Sequence, residues 1–209
     1  MPKLISAIIL SLFIGCAATA ARAEAPITFT VIRKGEDIGT HTITFDKKGD
    51  TLKVDIKTRI AVKVLFVTAY KFTFDGTETW KDGKLIALDD HSNDNGEKHA
   101  VSVAQKDGKL ILTADGKSQE ISPDTIPGSW WNIKLTGRKE LLDVLTGKME
   151  PVTIRKIGSE KVTANGAEVS ADHYEVSGGL QRNLWYKPNG TLVKQTVLKK
   201  GDVIEYAAK

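Results

Sequence analysis

The chain has 209 residues, 41% of them hydrophobic, with 30 Lys and Arg against 26 Asp and Glu. A sequence pI near 9.0 overstates its basicity, because Lys3 and Arg22 lie in the N-terminal stretch and 28 basic residues face 26 acidic ones from residue 24 onward. No basic run and no interleaving of aromatic with basic residues marks a nucleic-acid surface, which excludes that class of partner. A single cysteine, Cys16, excludes a disulfide framework within the chain.

The first element is an address. After Lys3 the run LISAIILSLFIG is apolar, and Ala21-Arg22-Ala23 offers an A-x-A cleavage point, so residues 1–23 read as a secretory signal peptide. The expected location is periplasmic or secreted after cleavage near Ala23. The run is shorter than the roughly 20 apolar residues of a membrane span, and no later stretch approaches that length. Cys16 has two readings. Either it is discarded with the peptide, or Phe13-Ile14-Gly15-Cys16 acts as a lipobox and a lipidated Cys16 anchors the protein; membrane association is expected only on the second reading. The remaining residues, 24–209, suffice for one core and contain no Pro/Ser/Gly-rich linker, so a single β-rich domain is expected.

Strand patterning follows. From Leu52 to Phe66 the even positions are Leu52, Val54, Ile56, Thr58, Ile60, Val62, Val64 and Phe66, and the odd ones are mostly charged. Period 2 places the even set on one face of a strand. Fifteen residues at about 3.3 Å each exceed an ordinary flat strand, so the segment must curl or break near LFVTA. Hairpin chemistry punctuates the chain: RKGED, DKKGD, KDGK at Lys81, DNGE at Asp94, KDGK at Lys106, ADGK, ANGA, KPNGT and KKGD. The expected fold is all-β, an antiparallel meander of about ten to twelve strands forming a curved sheet, half-barrel or barrel.

DDHSNDNGEKH (Asp89 to His99) resembles a metal site at first sight. Parity argues otherwise. A two-residue turn at Asn95-Gly96 pairs Ser92 with His99, His91 with Ala100, Asp90 with Val101 and Leu88 with Val103. His91 and His99 then point to opposite faces, while Ile86, Leu88, Val101 and Val103 share one. A calcium loop fails too, because Ser102 falls where a bidentate Glu is required. No metal and no cofactor is expected. Asp90, Ser92 and His99 fall on the core face near the tip and are candidates to orient a polar head group at the mouth of a cup.

TIPGSWWNIKLTGRKELLDVLTGKMEP interrupts the β pattern. Ser129 is a candidate N-cap, Leu141, Leu142 and Leu145 have helical spacing, and Gly147 suits a C′ position. One or two short helices are expected here, between a β half at about 27–121 and another at about 151–208, packed across the open side of the sheet. Trp130 and Trp131, about 100° apart on such a helix, are ligand-binding candidates, one facing the core and the other a cavity.

Templates for catalysis are absent: no G-x-S-x-G, H-E-x-x-H, Walker motif or G-x-G-x-x-G, and no cysteine beyond the leader. Glu78 shares the apolar phase of its strand with Phe72, Phe74 and Trp80, but as the only such carboxylate it makes no glycosidase pair. No catalytic residue is assigned.

E-x-W-x-D-G-x-L (Glu78 to Leu85), Trp131-Asn132, L-D-x-x-x-G (Leu142 to Gly147) and L-W-Y-x-x-x-G-x-L-V (Leu184 to Val193) carry a resemblance over roughly Thr28 to Tyr206. The chain resembles a family of exported proteobacterial proteins known only as a domain of unknown function, and a larger relative of that kind from bacterial envelopes. The resemblance implies export and a β-rich fold, and no activity. The first expectation is a non-enzymatic periplasmic binding or carrier module whose partner is a lipid-like or amphiphilic small molecule. The second is an envelope accessory protein that binds another protein through a sheet edge or its outer face, and the third a hydrolase acting on glycan or lipid.

Overall fold

The computed structural model describes residues 25–209; the expected signal peptide and Cys16 lie outside the described residues. Eight strands come first: β1 Ile27–Arg33, β2 Glu36–Lys48, β3 Thr51–Val64, β4 Val67–Lys81, β5 Lys84–Asp94, β6 Glu97–Lys106, β7 Lys109–Ala114 and β8 Lys117–Ile121. Six more follow a crossing segment: β9 Glu140–Leu142, β10 Met149–Ala164, β11 Ala167–Gly178, β12 Arg182–Tyr186, β13 Leu192–Lys199 and β14 Asp202–Ala208. All belong to one curved antiparallel sheet in the order β8-β7-β6-β5-β4-β3-β2-β1-β14-β13-β12-β11-β10-β9. Consecutive strands are neighbours throughout each half. Among the described residues the only pairing between strands distant in sequence is β1 with β14, from Phe29↔Ala208 to Arg33↔Ile204, and it joins the halves.

Local chemistry sets most of this. Each glycine-containing hairpin signal is a reverse connection, and the Asn95-Gly96 turn fixes the expected β5–β6 register, Asp94↔Glu97 through Leu88↔Val103. Asn95 and Gly96 both have positive φ, 55° and 106°, the backbone of the favoured tight hairpin. In β3, Val54, Ile56, Thr58 and Ile60 are buried while Lys53, Lys57 and Arg59 are exposed. Period 2 therefore held through Ile60 and Val62. Phe66 departs from it, because the chain breaks at Leu65-Phe66 and Phe66 stands in the turn, 101% exposed.

A curved sheet has one concave face, and the crossing segment covers it. Thr125, Ile126, Pro127, Gly128, Ser129 and Trp130 are all buried. Trp131 packs on Phe45 and Trp80, at 5.5 and 5.7 Å between centroids, and the Tyr186 hydroxyl donates to the Trp130 carbonyl at 2.5 Å. The segment thus touches β2, β4 and β12, strands from both halves of the sheet.

Its structure corrects the helical expectation. The segment holds a 3-10 turn at Ile133–Gly137, capped by Asn132, whose side chain accepts from the Lys134 amide; Ser129 is not its cap. Glu140–Leu142 is strand β9. Leu141 and Leu142 are both 0% exposed, and a strand covered on both faces buries adjacent leucines as a helix stripe would. Leu142 donates to the Ile126 carbonyl at 3.1 Å and accepts from the Gly128 amide at 2.8 Å, so the crossing segment satisfies one edge of β9. Gly147, at φ 67°, closes the β9–β10 loop by donating to the Asp143 carbonyl. Since β9 ties the crossing segment to the sheet, Leu142→Ala is expected to destabilise the protein by about 2–5 kcal/mol. Urea denaturation measures this, and a loss below about 1 kcal/mol would show that the contact contributes little.

Candidate functional site

Strands β4 and β5 carry two carboxylates into the interior. On β4 the inward phase is Phe74, Gly76, Glu78 and Trp80, and Glu78 is 0% exposed. On β5, Asp90 is 2% and Ser92 8% exposed. The register sets Gly76 opposite Asp90, Phe74 opposite Ser92 and Glu78 opposite Leu88, so Glu78 and Asp90 are diagonal neighbours on adjacent strands. Gly76 makes this possible: a Cβ there would collide with the Asp90 carboxyl and lie 2.7 Å from the Phe74 ring. The sequence reading that left Glu78 without a second carboxylate is therefore corrected. Asp90 is its companion, and a glycine inside a strand was the available sign that something approaches closely there.

Donors converge on one of the two groups only. Trp80 Nε1 donates to Glu78 Oε2 at 2.8 Å and Trp131 Nε1 to the same atom at 3.0 Å. The Ser129 hydroxyl faces the carboxyl without a well-formed bond, and Glu78 Oε1, both Asp90 oxygens and Ser129 Oγ have no partner. Burial pushes the Glu78 carboxyl above its usual range, against the pull of Ser129 and the two indoles. For Asp90, burial and then the charges of Glu78 and Asp89 raise the value to about 9. At neutral pH Asp90 is a neutral acid beside a hydrogen-bonded carboxyl, a pairing suited to holding or passing a proton. Trp131, Trp80 and Ser129 stand against Glu78.

A second polar group is buried on β2 and β3. His41 Nδ1 and Thr58 Oγ1 share a hydrogen bond at 2.8 Å. Burial, and then the charge of Arg182, lower the His41 pKa to about 3, which keeps the ring neutral. The Arg182 guanidinium lies 4.8 Å from the Trp130 ring centroid and donates to Gln195 Oε1 at 3.1 Å.

Of the expected site residues, Asp90 and Ser92 share the interior, and Trp131 joins them through Glu78. His99 is paired opposite Ser92 but is half-buried, with Nε2 3.3 Å from Glu97 and Nδ1 3.9 Å from Asp115. Trp130 faces Arg182 and not the carboxylates. The two tryptophans diverge because Trp130 has φ 71° and precedes the helix. Among the described residues no group of three or more His, Cys, Asp or Glu side chains is placed to hold a metal ion, and His91 and His99 point to opposite faces. Two clefts, of about 400 and 350 Å3, open to solvent and touch none of these residues.

The family model described as "Domain of unknown function (DUF6134)" matches residues 29–209. The chain belongs to this family. A solved structure, described as a β-barrel-like protein of domain of unknown function DUF1849 from Brucella abortus, is similar at 10% identity with a TM-score of 0.57. The match covers 88% of this chain and 94% of that one. At that identity the likeness concerns the fold alone, an antiparallel barrel-like sheet. No curated protein matches the chain.

The Asp90 carboxyl makes stability depend on pH in a definite direction. Its pKa in the folded DUF6134 chain, about 9, exceeds the unfolded value near 3.9, so the native state keeps a proton that the unfolded chain releases. Its contribution is full below about pH 4 and is lost as pH rises towards 9. Asp90→Asn removes this dependence. The variant is expected to gain stability over the natural protein by up to about 1.4 kcal/mol per pH unit between pH 5 and 8. Parallel stability curves across that range would show Asp90 to be ionised in the native state.

Proposed function

We propose that the protein is an exported, non-enzymatic binding module that holds an extended segment of another envelope protein along the free edge of β10. One observation supports this reading. Strand β10 pairs with β9 only at Met149, Glu150 and Pro151, whereas its other side pairs with β11 as far as Ala164. Among the described residues the outer edge from Thr153 to Thr163 therefore has no neighbouring strand in the sheet. It borders the cleft of about 400 Å3 lined by Glu160, Val162, Thr163, Trp185, Lys194 and Glu205. An unpaired edge beside a cleft is the geometry of strand addition, in which main-chain bonds give affinity and pockets select side chains. Lys194, 2.8 Å from Glu205 and 5.2 Å from the Trp185 ring centroid, places both charges and an aromatic face in that cleft. A bulge between Lys156 and Gly158 and the charges of Lys156 and Lys161 protect the edge from indiscriminate pairing.

A second reading, carriage of an amphiphilic small molecule, draws on the partnerless buried oxygens of Asp90 and Glu78. Buried polar groups without partners are uncommon, and a ligand head group entering below the crossing segment would satisfy them. That segment would have to move aside.

One pair of experiments separates the two. A photo-crosslinking residue at Lys161, an exposed edge position, is expected to trap a discrete protein in cells, with none trapped from Lys53 on β3. Native mass spectrometry of protein from its own compartment is expected to show no retained small molecule. A retained molecule that is lost from the Asp90→Ala, His99→Ala double variant, with no adduct at Lys161, would overturn the edge reading in favour of carriage.

A further inference from the structure

We propose that the tip of the β3–β4 hairpin docks onto an anionic phospholipid bilayer by inserting Leu65, Phe66 and Val67 into its surface. This site lies apart from the β10 edge and does not depend on the function proposed there.

The turn is unusual in its chemistry. Val64 and Val67 close a two-residue loop in which Leu65 has φ 47° and Phe66 φ 70°. Two consecutive positive φ values suit Asn-Gly, and bulky side chains there are strained. The other two-residue hairpin turns of the described chain all contain glycine: Lys34-Gly35, Gly49-Asp50, Asp82-Gly83, Asn95-Gly96, Asp107-Gly108, Asp115-Gly116, Asn165-Gly166 and Lys200-Gly201. Only at Leu65-Phe66 does the chain place apolar bulk in that conformation. It also places it in water, with Leu65 87%, Phe66 101% and Val67 68% exposed. Neither turn formation nor core packing accounts for a choice unfavourable on both counts, and strain kept at an exposed apolar point marks a contact site.

Charge and shape identify the occupant. Between Asp55 and Asp75 the hairpin carries Lys57, Arg59, Lys63 and Lys71 and no acidic residue. Arg59 is engaged by Asp75 at 2.6 Å; Lys57, Lys63 and Lys71 are exposed. Apolar side chains at an apex with lysines set back behind them match the layering of acyl chains beneath anionic head groups. The hairpin also projects. Pairing with β2 ends at Ile60 and pairing with β5 begins at Phe72, so residues 61–71 pair only with one another, from Ala61↔Lys71 to Val64↔Val67. Its root is held, because Lys199 Nζ bonds the Tyr70 hydroxyl and the Asp94 carboxylate, each at 3.2 Å, and the Asn95 amide donates to the Lys71 carbonyl at 2.8 Å. A braced two-stranded finger reaches a bilayer without disturbing the sheet. It offers far less than the roughly 800 Å2 per partner that a stable protein interface buries.

The test is flotation of the purified chain from residue 24 onward with vesicles of phosphatidylcholine alone or mixed with phosphatidylglycerol. The natural chain is expected to float with the mixed vesicles and to be released by salt. The variant Leu65→Asn, Phe66→Gly carries the turn chemistry of the neighbouring hairpins, so it should fold at least as stably while its partition coefficient falls at least tenfold. Lys63→Glu with Lys71→Glu should also weaken flotation, and in Phe66→Trp the tryptophan emission should move to shorter wavelength on mixed vesicles. The proposal is overturned if the natural chain does not float, if the Asn-Gly variant floats equally well, or if the Phe66→Trp emission is unmoved. A protein partner lost from the Asn-Gly variant without any vesicle binding would likewise overturn it and assign the tip to a protein contact.

Discussion

A curved sheet that is not covered by a second sheet must find something else to fill its concave face, and here the chain between β8 and β9 supplies it. The sheet order begins at β8 and ends at β9, and the segment that joins them runs over the interior, touching β2, β4 and β12. In crossing it buries Ile126, Trp130 and Leu135 and contributes Trp131 to the packing around Phe45 and Trp80. The two halves are also joined through β1 and β14, which makes one continuous surface for the segment to lie on. The crossing segment is therefore itself part of the core, with Ile126, Trp130 and Leu135 in one cluster with the sheet residues.

The same crossing segment makes it tolerable to bury Glu78. A fully desolvated carboxyl is unfavourable unless donors meet it, and two indole N–H groups do, one from β4 and one from the crossing segment. The second donor is present only when Trp131 has docked. Glu78 thus rewards the correct seating of the segment and penalises an interior in which it is displaced, a use of buried polar groups for uniqueness more than for stability. Asp90 gains no such partner and lowers its burial cost by keeping its proton. The difference between the two acids lies in the reach of the tryptophans and not in depth of burial.

Sequence patterning revealed the strands and their registers because both depend on neighbours. Asn95-Gly96 and the alternation of Val54 to Val62 determine pairing within a few residues, and the β5–β6 register followed from them. What patterning missed was tertiary. Nothing in the local sequence of Ile27–Arg33 announces that β14 lies beside it. Leu141 and Leu142 satisfy a helical stripe and a doubly covered strand equally, and only the arrival of residues 126–128 on the free edge of β9 decides between them. The meeting of Glu78 with Asp90 crosses two strands whose inward phases were each legible separately. Gly76, between Phe74 and Glu78, was the one local trace of their approach.

Where the chain departs from local rules, it does so in two opposite ways. Inside, it buries acidic groups but keeps the backbone ordinary: Glu78 and Asp90 sit on regular strands with an uninterrupted register from Phe72↔Asp94 to Thr79↔Ala87. At the β3–β4 tip it leaves side chains apolar and strains the backbone. The first departure is offset within the molecule, because the crossing segment meets Glu78 and protonation relieves Asp90. The second has no compensation within the described residues, since Leu65, Phe66 and Val67 are all exposed. An asymmetry of this kind separates features that serve folding from those that serve encounter. Natural chains violate local consistency chiefly where function requires it, and by that measure the outer finger is further from anything folding asks for than the interior acids are.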